Sequence, residues 1–167
     1  MKTMDFRTDV LPLKDKIFRL ALRITLDRQE AEDITQETLI KVWEKRDEWY
    51  QIQNMEAYCF TIARRLAIDA TKAKHAKNLR LSETDDTLHA IGPLPDDDLD
   101  LRQRIATVRN LINDLPEVQR TIIQLRDIEG LRYDEIAQIT GVTETQVKVY
   151  LHRARKKIKD LLEKTAQ

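Results

Sequence analysis

The sequence predicts an all-α protein of two small helical domains joined by a flexible acidic linker. Three observations carry that expectation. Only 3 Gly and 4 Pro occur among 167 residues, and runs of β-branched residues are few, a composition that favours helix over sheet. Apolar residues recur at steps of three and four through most of the chain, the period of a helix face. Charge then divides the chain: Lys and Arg outnumber Asp and Glu 16 to 13 over residues 1–80, trail 0 to 7 over 81–100, and lead 13 to 9 over 101–167. The formal net charge of zero therefore hides two basic segments around an acidic middle. A single Cys excludes an internal disulfide. Neither a signal peptide nor a long apolar run marks the N-terminus, so a cytoplasmic protein without membrane insertion is expected.

The first ten residues carry no clear signal. Pro12 is placed to open a helix to about Leu26, with Ile17, Leu20, Ala21 and Ile24 on one side. Asp27 breaks that helix and caps the next, which is expected to run without interruption to about Trp49. Its apolar positions Ala31, Ile34, Leu39, Val42 and Trp43 keep a helical period, which crowds Glu30, Glu32, Asp33, Gln36, Glu37 and Lys41 onto the remaining face. Such a face is open to four readings: a metal site, acid/base catalysis, a partner surface, or a solvated face whose charges favour the helix N-terminus. Metal is disfavoured, because no His lies nearer than His75 and no Glu-x-x-His pair occurs.

A polar loop, YQIQNMEA, leads into a third helix, AYCFTIARRLAIDATKAKHAKN. Phe60, Ile62, Ala63, Leu66, Ala67 and Ala70 can pack inward, while Arg64, Arg65, Lys72, Lys74, Lys77 and Arg80 build a basic surface. Trp49, Tyr50 and Tyr58 sit at its entrance. Rings beside cations suit single-stranded nucleic acid, since bases stack on the rings and phosphates meet the charges; rings packed into the core are the alternative. Cys59 reads as a small buried apolar residue, and His75 and His89 have no convergent partners. Residues 82–98, SETDDTLHAIGPLPDDD, lack a helical stripe and contain Gly92, Pro93 and Pro95. They read as a linker that reaches about 55 Å when extended, comparable with roughly 16 base pairs of duplex.

Two further helices follow, LRQRIATVRNLIND and PEVQRTIIQLRDIEG, the second with Pro116 at its start and Gly130 at its end. The stretch YDEIAQITGVTETQVKVYLHRARKK, residues 133–157, then reads as two helices joined by a tight turn. Ile136, Ala137 and Ile139 face inward, Gly141 supplies the left-handed turn, and Thr143 with Gln146 forms a capping box that starts a helix at Glu144. Val147, Leu151, Ala154, Ile158 and Leu161 make one apolar stripe. Thr145, Lys148, Val149, His152, Arg153 and Lys156 point away from the stripe or flank it, with Arg155 at its edge. Such a helix fits a major groove, its first turns meeting base edges and its later cations meeting phosphates. An ordinary helical hairpin with a solvated basic face is the alternative.

Taken together, DITQETLIKVW, AYCFTIARRLAID, the acidic linker, LPEVQRTIIQLRDIEGLRYDEIAQITGV and VKVYLHRARKKIKDLL resemble an extracytoplasmic-function sigma factor of the sigma-70 family, over about residues 10–163. The resemblance implies sigma region 2 in residues 1–81, the linker in 82–98 and sigma region 4, with its helix-turn-helix, in 99–167. It implies a non-enzymatic subunit that directs core RNA polymerase to promoters and assists strand opening. Asp33, Gln36, Glu37, Leu39 and Trp43 would bind core polymerase. Trp49, Asn54, Tyr58, Arg64, Arg65 and Lys72 would hold the -10 element, with flipped bases captured as the strands separate. Thr145, Gln146, Lys148, Val149, His152, Arg153, Arg155 and Lys156 would contact the -35 element.

The implied partners are bacterial core RNA polymerase, promoter DNA and an anti-sigma factor. No cofactor and no metal are expected in this chain, since polymerase supplies the catalytic magnesium. Tyr58 stands where many relatives have Trp, and should still stack. Tyr150 stands where Arg is common and Val149 where Ser is frequent, so the family's promoter preference does not transfer. Two rival readings explain less. A duplex-only helix-turn-helix regulator accounts for residues 133–157 but leaves the carboxylate helix and the aromatic-basic helix without roles. A helical enzyme lacks a nucleophile–base pair, a phosphate loop or metal spacing.

Overall fold

The computed structural model describes residues 3–81 and 99–165. Every regular element among them is helical. The expected linker at 82–98, with His89, Gly92, Pro93 and Pro95, lies outside the described residues. A wide helical turn at Phe6–Val10 and a 3-10 turn at Leu11–Leu13 lead into α1 (Lys14–Thr25), α2 (Arg28–Glu44), a 3-10 turn at Arg46–Gln51, and α3 (Met55–Leu81). The C-terminal half comprises α4 (Leu99–Asn113), α5 (Glu117–Ile123), a wide turn at Gln124–Ile128, α6 (Tyr133–Thr140) and α7 (Glu144–Thr165).

In the N-terminal half, α1, α2 and α3 pack on one another around Ile17, Leu20, Ile24, Ala31, Ile34, Phe60, Ala63 and Ala67. Leu26 ends α1 by entering the left-handed region at φ 58, where its N–H reaches the Leu22 carbonyl at 2.8 Å. Asp27 then accepts from the Glu30 N–H at 3.2 Å and starts α2. Thr35 and Thr38 complete the inward face of α2, two positions that an apolar stripe does not include. Their hydroxyls donate back to the carbonyls of Ala31 and Ile34, each at 2.7 Å, so neither polar group is buried unpaired.

Sequence periodicity carries the second helix to Trp49, but α2 stops at Glu44. Lys45 leaves helical geometry (φ -97, ψ 18), and the chain tightens into a 3-10 turn. The cause is Trp49, whose indole N–H donates to the Val42 carbonyl at 2.9 Å. Its ring stacks on Phe6 with centroids 6.5 Å apart and meets Trp43 edge-on at 6.3 Å. Folding the ring back buries it and satisfies a carbonyl at the helix end, which outweighs another exposed helical turn. Met4, Phe6 and the buried Val10 are what the described residues among the first ten contribute to the core.

In the C-terminal half, α5, α6 and α7 enclose Ile122, Leu125, Ile136, Val147, Leu151 and Ala154. The expected helix from Pro116 to Gly130 is regular only to Ile123 and widens through Gln124–Ile128. Gly130 (φ 75) and Gly141 (φ 80) both occupy the left-handed region, and at Gly141 this reversal turns α6 towards α7.

The halves meet along α1 and α3 on one side and α5, α6 and the Gln124–Ile128 turn on the other. Much of this contact is polar. The Arg120 guanidinium donates to the carbonyls of Arg23 and Ile24, both at 3.0 Å, and of Leu115 at 2.8 Å. A cation from one half therefore caps the C-terminus of a helix in the other. Arg23 donates to Gln124 Oε1 at 2.9 Å and Asn113 Oδ1 at 2.8 Å. Burial, with Arg109 and Arg120 nearby, pushes the Arg23 guanidinium down to about 10, so it stays charged at neutral pH. Arg19 grips Glu129 through two bonds of 2.8 Å.

Candidate functional site

Three surfaces carry the residues singled out in the sequence. On the outer side of α2, Asp33, Gln36 and Glu37 are exposed. Ile40 continues the same row, since positions seven apart share a helix face, and is 56% exposed. Leu39 is half-buried and packs against the core, so Ile40 is the aliphatic side chain this face offers to a partner. Its spacing from Asp33 is the signal that the sequence contained for it. Trp43 is 46% exposed, with the Arg46 guanidinium 4.4 Å from its ring centroid and Phe6 edge-on at 5.5 Å. The ring is thereby packed between Phe6 and the Arg46 guanidinium.

The second surface surrounds the start of α3. Trp49, expected among the -10 contacts, is 7% exposed and bonded through its indole N–H to the Val42 carbonyl. Tyr50, one residue on, is 81% exposed, and its hydroxyl accepts from Gln51 Nε2 at 2.8 Å. Tyr58 is half-buried, and burial together with Glu48 raises its hydroxyl above the usual range. Asn54 caps α3 by accepting from the Ala57 N–H at 3.0 Å, and its amide donates to Glu135 of α6. Arg64 donates through Nη2 to Glu117 at 3.1 Å and through Nη1 to the Thr140 carbonyl at 3.4 Å. Asn54 and Arg64 are thus both occupied by the C-terminal half, whereas Arg65 and Lys72 lie exposed along α3. Farther along, Lys74 pairs with Asp27 at 3.0 Å.

The third surface is the outward side of α7. Thr143 and Gln146 cap its start reciprocally, with bonds of 2.9 and 3.1 Å. Val147, Leu151 and Ala154 are buried, and that fixes the rotation of the helix. Thr145, Gln146, Lys148, Val149, His152, Arg153, Arg155 and Lys156 all lie on the exposed side. They are not equally free. The oxygen of the Gln146 amide is taken by the cap, and Lys148 Nζ lies 5.6 Å from the Tyr133 ring centroid. Arg155, expected at the -35 element, is engaged within the chain: its Nε donates to Asp127 at 3.1 Å and its Nη2 to the second carboxylate oxygen. It braces α7 against the Gln124–Ile128 turn. Tyr150 packs partly into the core, so it does not take the place of a groove-facing cation.

Among the described residues, no group of three or more His, Cys, Asp or Glu side chains is placed to hold a metal ion. No helix among them is long and apolar enough to cross a membrane.

Family models divide the chain as the helices do. Sigma-70 region 2 matches residues 10–76, and Sigma-70, region 4 matches residues 105–158. Among curated proteins, the ECF RNA polymerase sigma factor SigE of Mycolicibacterium smegmatis is 32% identical over 90% of this chain, which spans 58% of that relative's length. SigW of Bacillus subtilis is 30% identical over 89% of this chain and 84% of its own length. The RNA polymerase sigma-H factor of Pseudomonas aeruginosa is 32% identical over 92% of this chain and 84% of its own. Among solved structures, the sigma factor RpoE in complex with the anti-sigma factor NepR, from Bartonella quintana, superposes with a TM-score of 0.83 at 27% identity. That match covers 95% of this chain and 97% of the other. CnrH in complex with the cytosolic domain of CnrY, at 20% identity and a TM-score of 0.68, shares the fold. On these matches the chain belongs to the extracytoplasmic-function sigma factors of the sigma-70 family, the RNA polymerase subunits that direct the core enzyme to promoters.

Proposed function

We propose a division of labour within this sigma factor, with residues 1–81 as region 2, 82–98 as linker and 99–167 as region 4. The outer face of α2, with Asp33, Gln36, Glu37 and Trp43, docks on core polymerase; its carboxylates suit a basic partner helix, and its exposed apolar groups serve as anchors. Ile40 joins that set, and Leu39 supports it from within the core. Tyr58, Asn54, Arg64, Arg65 and Lys72 hold the -10 element as single-stranded DNA. Trp49 acts indirectly by fixing the loop from which Tyr50 projects. On α7, Thr145, Gln146, Lys148 and Val149 face base edges, while His152, Arg153 and Lys156 hold phosphates of the -35 element. One observation supports the reading above all: the buried stripe of Val147, Leu151 and Ala154 turns the whole polar and basic set of α7 to one open side.

The chain performs no chemistry of its own and works in the cytoplasm, where polymerase acts. Strand opening follows from differential binding, because bases captured on region 2 are withdrawn from re-pairing. The linker raises the effective concentration of each DNA reader once the other is engaged. The relatives RpoE and CnrH were solved with the anti-sigma factors NepR and CnrY respectively bound to them, and we extend regulation by an anti-sigma factor to this chain. Run-off transcription by reconstituted holoenzyme, with permanganate footprinting of the opened bases, tests the whole scheme. A folded chain that fails to bind core polymerase in the absence of any inhibitor would refute it.

A further inference from the structure

We propose that Arg23 of α1 and Arg109 of α4, backed by Arg120 of α5, form a binding site for a small phosphate dianion, either inorganic phosphate or the phosphate group of a phosphorylated metabolite. Hydrogen bonds bring the three cations together. Arg23 Nη1 donates to Asn113 Oδ1 at 2.8 Å. Arg109 lies one turn before Asn113 on α4, so the two share a helix face with Cβ atoms about 5–6 Å apart. Arg120 Nε donates to the carbonyl of Arg23 itself at 3.0 Å. Three guanidiniums from three helices therefore converge beside Arg23.

Among the described residues, no carboxylate accepts a bond from any of them. The acceptors of Arg23 and Arg120 are all uncharged: Gln124 Oε1, Asn113 Oδ1 and the carbonyls of Arg23, Ile24 and Leu115. The carboxylates of the neighbouring elements are engaged elsewhere, Glu129 by Arg19 and Glu117 by Arg64. Arg109 is half-buried and its charge, with that of Arg120, adds to burial in lowering the Arg23 guanidinium. Partly buried cations held together without a counter-charge are costly, and such groups mark binding sites more often than chance. Donors also remain free. Arg23 Nη2 and the Arg109 nitrogens make no hydrogen bond among the described residues, and none of them is a buried unpaired atom, so they are open to solvent. Guanidinium forks match phosphate oxygens, and a dianion offsets more of this excess charge than a monocarboxylate does. Bound there, it ties α1 to α4 through its own oxygens.

The test uses the full chain in a zwitterionic buffer at fixed ionic strength. Isothermal titration with inorganic phosphate and, in a second arm, with adenosine monophosphate should show one saturable site per chain. Tighter binding of inorganic phosphate identifies the free anion as the ligand, and tighter binding of the nucleotide identifies a phosphorylated metabolite. Arg109→Ala should weaken binding at least about tenfold, as for the loss of one charge-assisted hydrogen bond. Arg104→Ala, exposed on the same helix, should leave it unchanged. Without anion, Arg109→Ala should melt no lower than the parent, because the side chain bonds to nothing and its charge opposes that of Arg23. Saturating phosphate should raise the melting temperature of the parent and not that of the variant. No saturable binding of either probe to the parent would overturn the proposal, whatever the variants do. Equal weakening by Arg109→Ala and Arg104→Ala, the mark of diffuse surface charge, would overturn it as well.

Discussion

Trp49→Phe is expected to destabilise the fold while leaving single-stranded DNA binding by the folded protein intact. The indole N–H bonds the Val42 carbonyl at 2.9 Å, but that carbonyl also receives the Lys45 N–H at 3.2 Å. Losing the indole therefore does not orphan the acceptor, and the cost sits near the middle of the net range for one hydrogen bond, about 1 kcal/mol. Replacing two fused rings by one removes roughly 40 Å³ from a packed site, which adds about 1 kcal/mol at the usual cavity coefficient. The total of about 2 kcal/mol corresponds to a melting temperature lower by roughly 4–8 °C for a chain of this size. Urea unfolding followed by far-ultraviolet circular dichroism measures it without relying on fluorescence, since the variant retains only one of the 2 Trp residues. The Trp49 ring is 7% exposed and packs on Phe6 and Trp43, so DNA affinity should not change. Stability within about 0.5 kcal/mol of the parent, together with weakened DNA binding, would show that Trp49 is a DNA contact after all.

Tyr50→Ala should do the reverse: its ring is 81% exposed, so stability should hold, while single-strand affinity measured by anisotropy falls by about 1–3 kcal/mol, the value of one stacked base. Gly141→Ala should cost about 1 kcal/mol in urea unfolding, all of it from the backbone, because φ is +80 and an added Cβ would meet no heavy atom within 4 Å. Burial alone would raise the Glu129 carboxyl, but hydrogen bonds from Arg19 and Gln124, with the charges of Arg19 and Lys16, hold it below its ordinary 4.5. Its contribution is complete above that ordinary value and is lost as pH falls through the lower folded one. Thermal melts should therefore show an acid-induced loss of stability below about pH 4.5 that is reduced in Glu129→Gln. Lys148→Ala with Arg153→Ala should lower promoter-directed run-off transcription by at least about tenfold and leave co-purification with core polymerase unchanged.

The helices that carry function are legible wherever the information is local. Gly141, the Thr143–Gln146 cap and the Val147–Leu151–Ala154 stripe lie within one short stretch, so periodicity and turn chemistry define both the start and the rotation of α7. The rotation of α2 was harder to read, because Thr35 and Thr38 are polar by type and yet buried, a status that their bonds to the preceding turn make possible. The end of α2 at Glu44 depends on a side chain five positions on, folding back over Phe6, and a helical period carries no sign of such a return. The contact between the halves was not legible at all. Arg120 reaches carbonyls 96 and 97 positions away, and Arg19 a carboxylate 110 positions away; one charged residue in a sequence does not name its distant partner. For the same reason the sequence carries no sign of the ion pair of Arg155 with Asp127.

Cys59 lies fully buried within α3, and burial, with Glu56 nearby, pushes its thiol up to about 12. Almost no thiolate forms at neutral pH, and reagents cannot reach the sulfur, so maleimides and methanethiosulfonates should pass it by. A cysteine introduced on any outer surface becomes the single reactive handle without removal of the native one. Spectroscopic reporters can therefore be installed one at a time in an otherwise unaltered core, and the movement of each half followed directly.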